Sequence, residues 1–169
     1  FNITATFFVV GRWAKENPDI IKRMRTEGHD IGCHSYYHRH AWLMSPWATY
    51  LDMKQTYNTL KTILGNPPSR YRPPWGGYNA MSLLMGNKLN LKPTHWSQDA
   101  RDWANDTTVK DIQDTIINGI KPGSIIVLHD NGGARGAPER TLKALPLILE
   151  TLKLKGYRFV DLDEMEKRN

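Results

Sequence analysis

Two histidines four residues apart are the clearest candidates for chemistry in this sequence. They are His34 and His38, in a loop that follows a short apolar stretch ending at Cys33. Two imidazoles at this spacing bind one cation if the backbone turns once between them, and zinc accepts neutral imidazole nitrogen readily. The alternative is an aromatic-rich loop whose histidines only form hydrogen bonds. A His-Glu-x-x-His protease site matches poorly, because Ser35 stands where that motif needs glutamate.

Further clusters of polar and aromatic residues come directly after predicted strands. They are Arg72 with Trp75, Asp99 and Asp102 with Trp103, and His129 with Asp130. In β/α barrels the active site is built at the carboxyl ends of the strands. This recurrence therefore favours an active site over a set of solvated loops.

The polar groups have complementary roles in hydrolysis. A metal held by His34 and His38 needs at least one further ligand and an open position for water, which becomes a nucleophile near neutral pH. His129 is the candidate general acid, and a carboxylate such as Asp102 would stabilise its protonated form and raise its pKa. The alternative for His129 is a strand-end histidine that caps a carbonyl.

The segment from Arg72 to Trp75 offers a backbone donor. Pro73 and Pro74 lack amide protons, so the Trp75 N–H has no obvious internal partner and is placed to face an oxyanion. The alternative is a purely structural proline turn. Arg72 is either a fixed partner for a buried carboxylate or a surface arginine. Together these groups describe metal-assisted hydrolysis of an ester or amide through a tetrahedral intermediate.

Composition limits the other possibilities. The 169 residues fit one domain, 40% of them are hydrophobic, and no apolar run is long enough to span a bilayer. The single cysteine, Cys33, excludes an internal disulfide and is predicted to be an apolar filler rather than a metal ligand. The net charge of +6 is spread along the chain, which argues against a nucleic-acid surface and suits an anionic surface such as a bacterial cell wall.

Strand and helix patterns alternate along the chain. Strands are predicted at 3–10, 29–33, 71–72, 94–96, 124–128 and 157–160, and helices at 17–24, 46–64, 79–89, 108–120 and 141–154. Ser45 followed by Pro46 marks one helix start and Gly65 its end. This alternation predicts an α/β fold with a parallel sheet, either open or closed as a barrel. Because the chain starts within a predicted strand, we expect the domain to be incomplete at its N-terminus.

Four motifs, in this order, resemble those of the polysaccharide deacetylases with a NodB-type domain, carbohydrate esterase family 4. They are His34-Ser35-Tyr36-Tyr37-His38, Arg72-Pro73-Pro74-Trp75-Gly76, Asp102-Trp103 and Val127-Leu128-His129. Trp75 stands where the family usually has tyrosine, and Val127 where it prefers leucine. The resemblance covers almost the whole chain, as one N-terminally incomplete domain at 1–169.

The resemblance implies a distorted (β/α) barrel that removes N- or O-acetyl groups from a polysaccharide such as peptidoglycan, chitin or its oligomers, or xylan. It also implies one divalent metal ion, zinc, with cobalt and nickel as alternatives. His34 and His38 would be the metal ligands. His129 would be the general acid, tuned by Asp102. Arg72 would orient the catalytic base.

The remaining expected site residues contact the substrate. The Trp75 amide would stabilise the oxyanion. Trp103 and Val127 would line the pocket for the acetyl methyl group, although a tryptophan more often packs in a core. Leu128 and Tyr78 are expected to bind substrate as well.

One family motif is absent. Thr-Phe-Asp-Asp-Gly, which supplies the catalytic base and the third metal ligand, does not occur here. We therefore expect the first strand and helix of the barrel to be missing from this chain and to be encoded upstream, removed by proteolysis, or supplied by a separate N-terminal fragment.

Two other classes of function remain open. One is a non-enzymatic carbohydrate-binding module, a deacetylase-like barrel without its base, and the other is a cation-storing or structural protein. For the enzyme, we expect an acetylated polysaccharide as partner and a bacterial extracellular or cell-wall location. We expect no nucleic-acid partner and no membrane span.

Overall fold

The computed structural model describes residues 1–167 as alternating strands and helices. Its strands are β1 (Thr6–Val9), β2 (Asp30–Cys33), β3 (Arg70–Tyr71), β4 (Lys92–Pro93), β5 (Gln98–Asp99) and β6 (Ile126–Val127). Its α-helices are α1 (Gly11–Glu16), α2 (Pro18–Thr26), α3 (Pro46–Leu64), α4 (Ala80–Lys88), α5 (Val109–Gly119), α6 (Ala137–Leu154) and α7 (Leu162–Glu166). Short 3₁₀ helices lie at Ala41–Leu43 and Pro74–Gly76.

The chain separates into two compact units. The N-terminal unit comprises 3–95 with 160–167, and the C-terminal unit comprises 1–2 with 96–159. Among the helices of residues 1–167, none combines the length and the apolar character needed to cross a membrane.

The N-terminal unit contains a four-stranded parallel sheet in the order β1-β2-β3-β4. In this sheet Val9 pairs with Cys33, and Cys33 pairs with Tyr71. The ends of β1, β2 and β3 therefore lie side by side, because parallel strands end at the same edge of a sheet. This arrangement confirms the α/β prediction with parallel strands, while closure of the strands into a barrel remains a prediction.

The core of the N-terminal unit is apolar and continuous. Its buried members are Val9, Ala14, Ile21, Ile31, Cys33, Met53, Leu60, Tyr71, Met85 and Leu91. Cys33 is 1% exposed, and burial raises the pKa of its thiol. It therefore serves as a small apolar side chain, as the sequence predicts.

Helix α3 has the ends that the sequence predicts. The Ser45 hydroxyl accepts a hydrogen bond from the Ala48 amide at 3.2 Å, and Pro46 occupies the first helical position. Gly65 ends the helix with φ 75°, in the left-handed region that glycine adopts without steric cost. The helix therefore begins and ends for local reasons, independently of its packing.

Helix α1, which the sequence does not predict, supports the loop after β2. The amides of Gly11 and Arg12 donate to the carbonyls of Ser35 and Tyr36 at 2.9 and 3.1 Å. A Cβ on Gly11 would lie 2.7 Å from the Tyr36 ring and 3.2 Å from the Thr56 Cα. Only glycine permits this close approach, so the sequence of α1 fixes where the loop begins.

Two predicted strands are wrong. Residues 94–96 form no strand, since the pairing falls on β4 before them and on β5 after them. Residues 157–160 are irregular and lead into α7, which the sequence does not predict. In α7, Asp163 and Glu166 bind the buried guanidinium of Arg70, and the Arg70 hydrogen bond lowers the pKa of Glu166 to about 2. This anchoring ties the C-terminal residues to the start of β3.

The C-terminal unit contains the parallel pair β5 and β6 together with α5 and α6. Gln98 pairs with Ile126, and Asp99 pairs with Val127. Thr108 begins α5 with reciprocal hydrogen bonds to Asp111, a capping box. The buried core of this unit consists of Ala100, Ile112, Ile116, Ala144, Ile148 and Leu152. Helix α6 starts four residues before the predicted start, at Ala137.

Candidate active site

The loop after β2 brings its two histidines together. The ring centroids of His34 and His38 are 5.1 Å apart, with the ring planes at 61°. This proximity depends on a tight turn in which Ser35 and His38 have φ values of 66° and 55°. Such conformations are uncommon for residues other than glycine and persist only where the surroundings impose them.

A buried carboxylate on α3 imposes this turn. Asp52, which is 7% exposed, accepts hydrogen bonds from the Ser35 hydroxyl at 3.2 Å and from the Tyr36 amide at 3.0 Å. The Arg39 amide in turn donates to the Ser35 hydroxyl oxygen at 3.3 Å. Asp52 therefore holds the loop at its first bend, and the Ser35 hydroxyl links that bend to the residue after His38.

The orientation of His34 is fixed by the backbone. Its Nδ1 lies 2.6 Å from the carbonyl oxygen of Arg72. Because a carbonyl only accepts, this contact places the proton on Nδ1 and leaves Nε2 as the nitrogen with the lone pair. Metal-binding histidines are commonly held in this way, with one ring nitrogen donating to a backbone carbonyl.

The donor chemistry of this loop fits a divalent ion in part. His34 and His38 supply two imidazoles of the kind that zinc, cobalt and nickel accept. In the described part of the chain, no group of three or more His, Cys, Asp or Glu side chains is arranged to hold a metal. The metal assignment therefore remains a prediction that rests on two ligands.

Arg72 lies beneath the site rather than on the surface. It is 8% exposed, its guanidinium donates to the carbonyls of Thr94 and His95 at 3.3 and 3.0 Å, and it packs on the Phe8 ring at 4.2 Å. Burial lowers its pKa to about 10, so it stays charged at neutral pH. Its predicted role in orienting a base remains a prediction.

Trp75, like Ser35 and His38, has a positive φ value. Its φ is 56°, within the 3₁₀ helix that follows Pro73. The first amides of a helix have no acceptor within the helix. Because Pro74 has no N–H, the first such amide in this 3₁₀ helix is that of Trp75. The Trp75 side chain is 62% exposed, and its ring centroid lies 4.7 Å from that of His38. The predicted oxyanion donor thus belongs to a residue that contacts the histidine loop.

Tyr78 has a supporting position in the same unit. Its half-buried hydroxyl lies 3.2 Å from the Tyr71 carbonyl and 3.1 Å from the Thr94 carbonyl. Burial raises the pKa of Tyr78 to about 12. These contacts join β3 to the segment after β4, and a role in substrate binding remains a prediction.

In the C-terminal unit, Asp102 and His129 form a close pair. Asp102 is fully buried, and its Oδ1 accepts from His129 Nδ1 at 2.7 Å. Its Oδ2 accepts from the His129 amide and from the Thr141 hydroxyl, each at 2.7 Å. The Asp102 carboxylate therefore fixes both the backbone and the ring of His129 and leaves Nε2 on the outer side of the ring.

The pair sets the protonation of His129. Burial alone would raise the pKa of the Asp102 carboxyl, but hydrogen bonds from His129 and Thr141 outweigh it and bring that pKa below its ordinary value. The hydrogen bond to Asp102 raises the pKa of His129 against the opposing effect of burial, with Asp99 and Asp130 adding to the rise. His129 is thus favoured in the protonated form that a general acid requires.

The three residues of this unit that are predicted to contact the substrate differ in their exposure to solvent. Trp103 is 42% exposed, whereas Val127 is 6% exposed within β6 and Leu128 packs against the apolar core. The Trp103 carbonyl accepts from the Ala134 amide at 2.8 Å, and a Cβ on Gly133 would lie 2.7 Å from that carbonyl oxygen. The roles of Trp103 and Val127 in lining the acetyl-methyl pocket, and of Leu128 in binding substrate, remain predictions.

Two residues that matter here escape the sequence prediction. Asp52 lies on the buried face of α3 with Thr49, Met53 and Thr56, and Thr141 lies on the buried face of α6. A carboxylate at a core position of a helical pattern is the only signal that marks Asp52 in advance, because buried carboxylates require partners. Thr141 carries no such signal, since threonine is common on either face.

Comparison with known proteins identifies the family. The family model described as polysaccharide deacetylase matches residues 1–94. The chain is 33% identical to a peptidoglycan-N-acetylglucosamine deacetylase of Bacillus cereus, over 92% of this chain and 58% of that protein. It is 32% identical to a chitooligosaccharide deacetylase of Azorhizobium caulinodans, over 90% of this chain and 77% of that protein. The chain belongs to the polysaccharide deacetylase family.

Solved structures of carbohydrate esterase family 4 support this assignment. A family 4 acetyl xylan esterase of Clostridium thermocellum, in complex with a cobalt ion, matches with a TM-score of 0.86 and 34% identity. The match covers 98% of this chain and 78% of that one. The NodB-type resemblance and its α/β fold class are thereby confirmed for this polysaccharide deacetylase family member.

The hydrogen bonds of Asp52 predict a loss of stability on truncation. Asp52→Ala leaves the Ser35 hydroxyl and the Tyr36 amide buried without their acceptor, which should lower the free energy of unfolding by about 2–5 kcal/mol. Urea unfolding measures the change. The exposed Asp106→Ala is the matched control and should change stability by less than about 0.5 kcal/mol. Equal stability of the two variants would show that Asp52 does not hold the loop.

The Asp102–His129 pair predicts a shifted titration. Asp102→Asn removes the negative charge while keeping an acceptor, so the pKa of His129 should fall and its protonated form should be lost at lower pH than in the unmodified chain. NMR titration of the His129 ring carbon Cε1 reports the midpoint directly. Asp106→Asn serves as control and should leave the midpoint in place. A midpoint in Asp102→Asn equal to or above the original would contradict the assignment.

Proposed function

We propose that this chain is the deacetylase domain of an enzyme that hydrolyses acetyl groups on a polysaccharide. The observation that carries the proposal is the histidine loop, in which two imidazole rings lie edge to face with centroids 5.1 Å apart and His34 is held in one tautomer by the Arg72 carbonyl. Relatives named for peptidoglycan, chitooligosaccharide and xylan substrates support an acetylated polysaccharide as substrate. Removal of N- or O-acetyl groups uses the same groups on the enzyme.

In the proposed mechanism, His34 and His38 would hold one divalent ion, zinc, with cobalt or nickel as alternatives. When bound, such an ion supplies Lewis acidity, polarising an acyl oxygen and lowering the pKa of a coordinated water. The cobalt ion in the Clostridium thermocellum structure supports a divalent metal for the family. A third ligand and the catalytic base are proposed to come from an N-terminal segment that carries the family's Asp-Asp motif.

The other groups handle protons and charge. Protonated His129, stabilised by Asp102, donates its Nε2 proton to the departing amine or alkoxide of the sugar. The Trp75 amide donates to the oxyanion that forms at the acetyl carbonyl, and Arg72 orients the base. Trp103, Val127, Leu128 and Tyr78 are proposed to contact the substrate. Activity should therefore fall as pH rises through the raised pKa of His129, because the acid form is then lost.

We further propose a bacterial extracellular or cell-wall location, which the peptidoglycan substrate of the Bacillus cereus relative supports. The second candidate function is a carbohydrate-binding module of the same fold, which the exposed aromatic rings beside His38 favour. Incubation of the chain, extended by an N-terminal segment that carries the Asp-Asp motif and loaded with zinc, cobalt or nickel, with acetylated chito-oligosaccharide distinguishes the two. Acetate release that a chelator abolishes supports the enzyme, whereas sugar binding without acetate release supports the module.

Each proposed metal ligand should be indispensable for tight binding. His34→Ala and His38→Ala should each weaken metal affinity about 100-fold or more, since loss of a partner behind a ligand already costs 10–100-fold. Competition with a chromophoric chelator measures the affinity. His29→Ala is the matched control, because His29 lies in the same unit and its Nδ1 accepts from the Ala5 amide instead. Unchanged metal affinity in both His34→Ala and His38→Ala would exclude a metal site at these two histidines.

The general acid should be separable from the metal. His129→Ala should keep its metal content but lose on the order of 100-fold or more in kcat, the usual scale for loss of a general acid. Measurement of acetate release and of metal content on the same preparation tests the predicted loss of kcat and the predicted retention of metal. Unchanged turnover would exclude His129 as the acid, and loss of metal would reassign it to the metal site.

A further inference from the structure

A row of three aromatic rings, of which the two tryptophans are exposed and the histidine is half-buried, adjoins the histidine loop. It consists of Trp75, His40 and Trp42, which we call the aromatic row. The Trp75 centroid lies 4.7 Å from that of His38, and His40 stacks on Trp75 at 5.2 Å with the rings within 14° of parallel. Trp42 follows, 5.1 Å from His40. The row therefore begins at a proposed metal ligand and leads away from it.

The outer ring of the aromatic row is exposed, and hydrogen bonds and close packing hold Trp42 and His40 in place. Trp42 is 70% exposed, but its Nε1–H donates to the Tyr78 carbonyl at 2.9 Å. His40 caps the 3₁₀ helix Ala41–Leu43, and a Cβ on Gly77 would lie 3.0 Å from its Cε1. Asn79 secures the same segment by donating to the Ala41 carbonyl at 2.7 Å. Few rotamers remain to be lost on binding, which favours recognition of a ligand by these rings.

The chemistry of the aromatic row fits a neutral ring with one apolar face. Tryptophan and histidine present flat apolar surfaces with a polar edge, the combination found in sites that orient a ligand by a few hydrogen bonds. An acetylated sugar, uncharged and apolar on its C–H face, matches this surface.

We propose that the aromatic row is a sugar subsite that binds the polysaccharide chain beyond the residue being deacetylated, with Trp42 as its outer stacking platform. The inference rests on the proposed function for its substrate class. The contacts that define the aromatic row lie within the N-terminal unit alone. Sugar binding by the row can therefore be measured without catalytic turnover. The subsite makes the enzyme favour long chains over single sugars, because a short substrate does not reach Trp42.

Replacement of Trp42 tests the subsite. In Trp42→Ala, affinity for the hexamer of N-acetylglucosamine should fall about fivefold or more, the scale for truncation of an anchoring aromatic side chain. Isothermal titration calorimetry measures the affinity without any reaction. Trp42→Phe keeps a stacking face without the Nε1–H donor and should recover part of the affinity. The matched control is Trp47→Ala, because Trp47 is 67% exposed in the same unit and stacks on Tyr50 instead.

Kinetics on two substrates separates the subsite from the proposed function. With the metal-loaded chain extended by an N-terminal segment that carries the Asp-Asp motif, Trp42→Ala should raise KM for the hexamer and leave hydrolysis of a small aryl acetate unchanged. If acetate is released and Trp42→Ala binds the hexamer as tightly as the unmodified chain does, the subsite proposal is wrong and the deacetylase proposal is unaffected. Weaker hexamer binding without any acetate release supports the subsite and overturns the deacetylase proposal.

A second copy of the chain is the competing occupant of this surface. Sedimentation velocity of the unmodified chain and of Trp42→Ala distinguishes it. A change in oligomeric state with unchanged sugar affinity assigns the aromatic row to self-association and overturns the sugar proposal. An unchanged oligomeric state with weakened sugar affinity agrees with it.

Discussion

The Asp52 carboxylate, reaching from α3 into the loop after β2, is the contact on which the proposed metal site depends. It accepts from the Ser35 hydroxyl and the Tyr36 amide, and so stabilises a turn with Ser35 at φ 66° and His38 at φ 55°. Each of these conformations costs about 1–2 kcal/mol for a residue with a side chain. Asp52 thus offsets part of the conformational cost of the turn that brings the two imidazoles together. The proximity of the histidines is thus a property of tertiary structure and not of their spacing alone.

In the C-terminal unit, a buried carboxylate again positions a candidate functional residue. Asp102 holds His129 by both its amide and its ring, and Thr141 occupies the remaining acceptor position. Here the buried carboxylate sets protonation, whereas Asp52 sets backbone conformation. A buried carboxylate is stable only with several donors directed at it. The donors to Asp52 lie in the histidine loop, whereas those to Asp102 are His129 and the α6 residue Thr141. Each carboxylate therefore stabilises its unit by holding a candidate functional residue in place.

What the sequence predicts well is what local physics determines. Helix α3 lies between Ser45 and Gly65 because the cap residues act within one turn, and the histidines of the loop follow a strand as expected. The strand expected at 94–96 is wrong because β-propensity there is overridden by where β3 offers hydrogen bonds. Helix α7 is missed because it is short and is stabilised by Arg70, more than 90 residues away in the chain. The role of Asp52 is missed for the same reason, since its partners are 16 and 17 residues away and no periodicity encodes them.

The residue at position 75 favours a role for its side chain in the proposed site. An amide directed at an oxyanion is all that the sequence assigns to Trp75, and glycine would present that amide at φ 56° without the strain that tryptophan incurs. Gly76 and Gly77 follow directly, so a third glycine would suit the turn. The indole instead stacks on His40 and contacts His38. The strain at position 75 is therefore best explained by the ring, which joins the proposed metal ligand to the aromatic row.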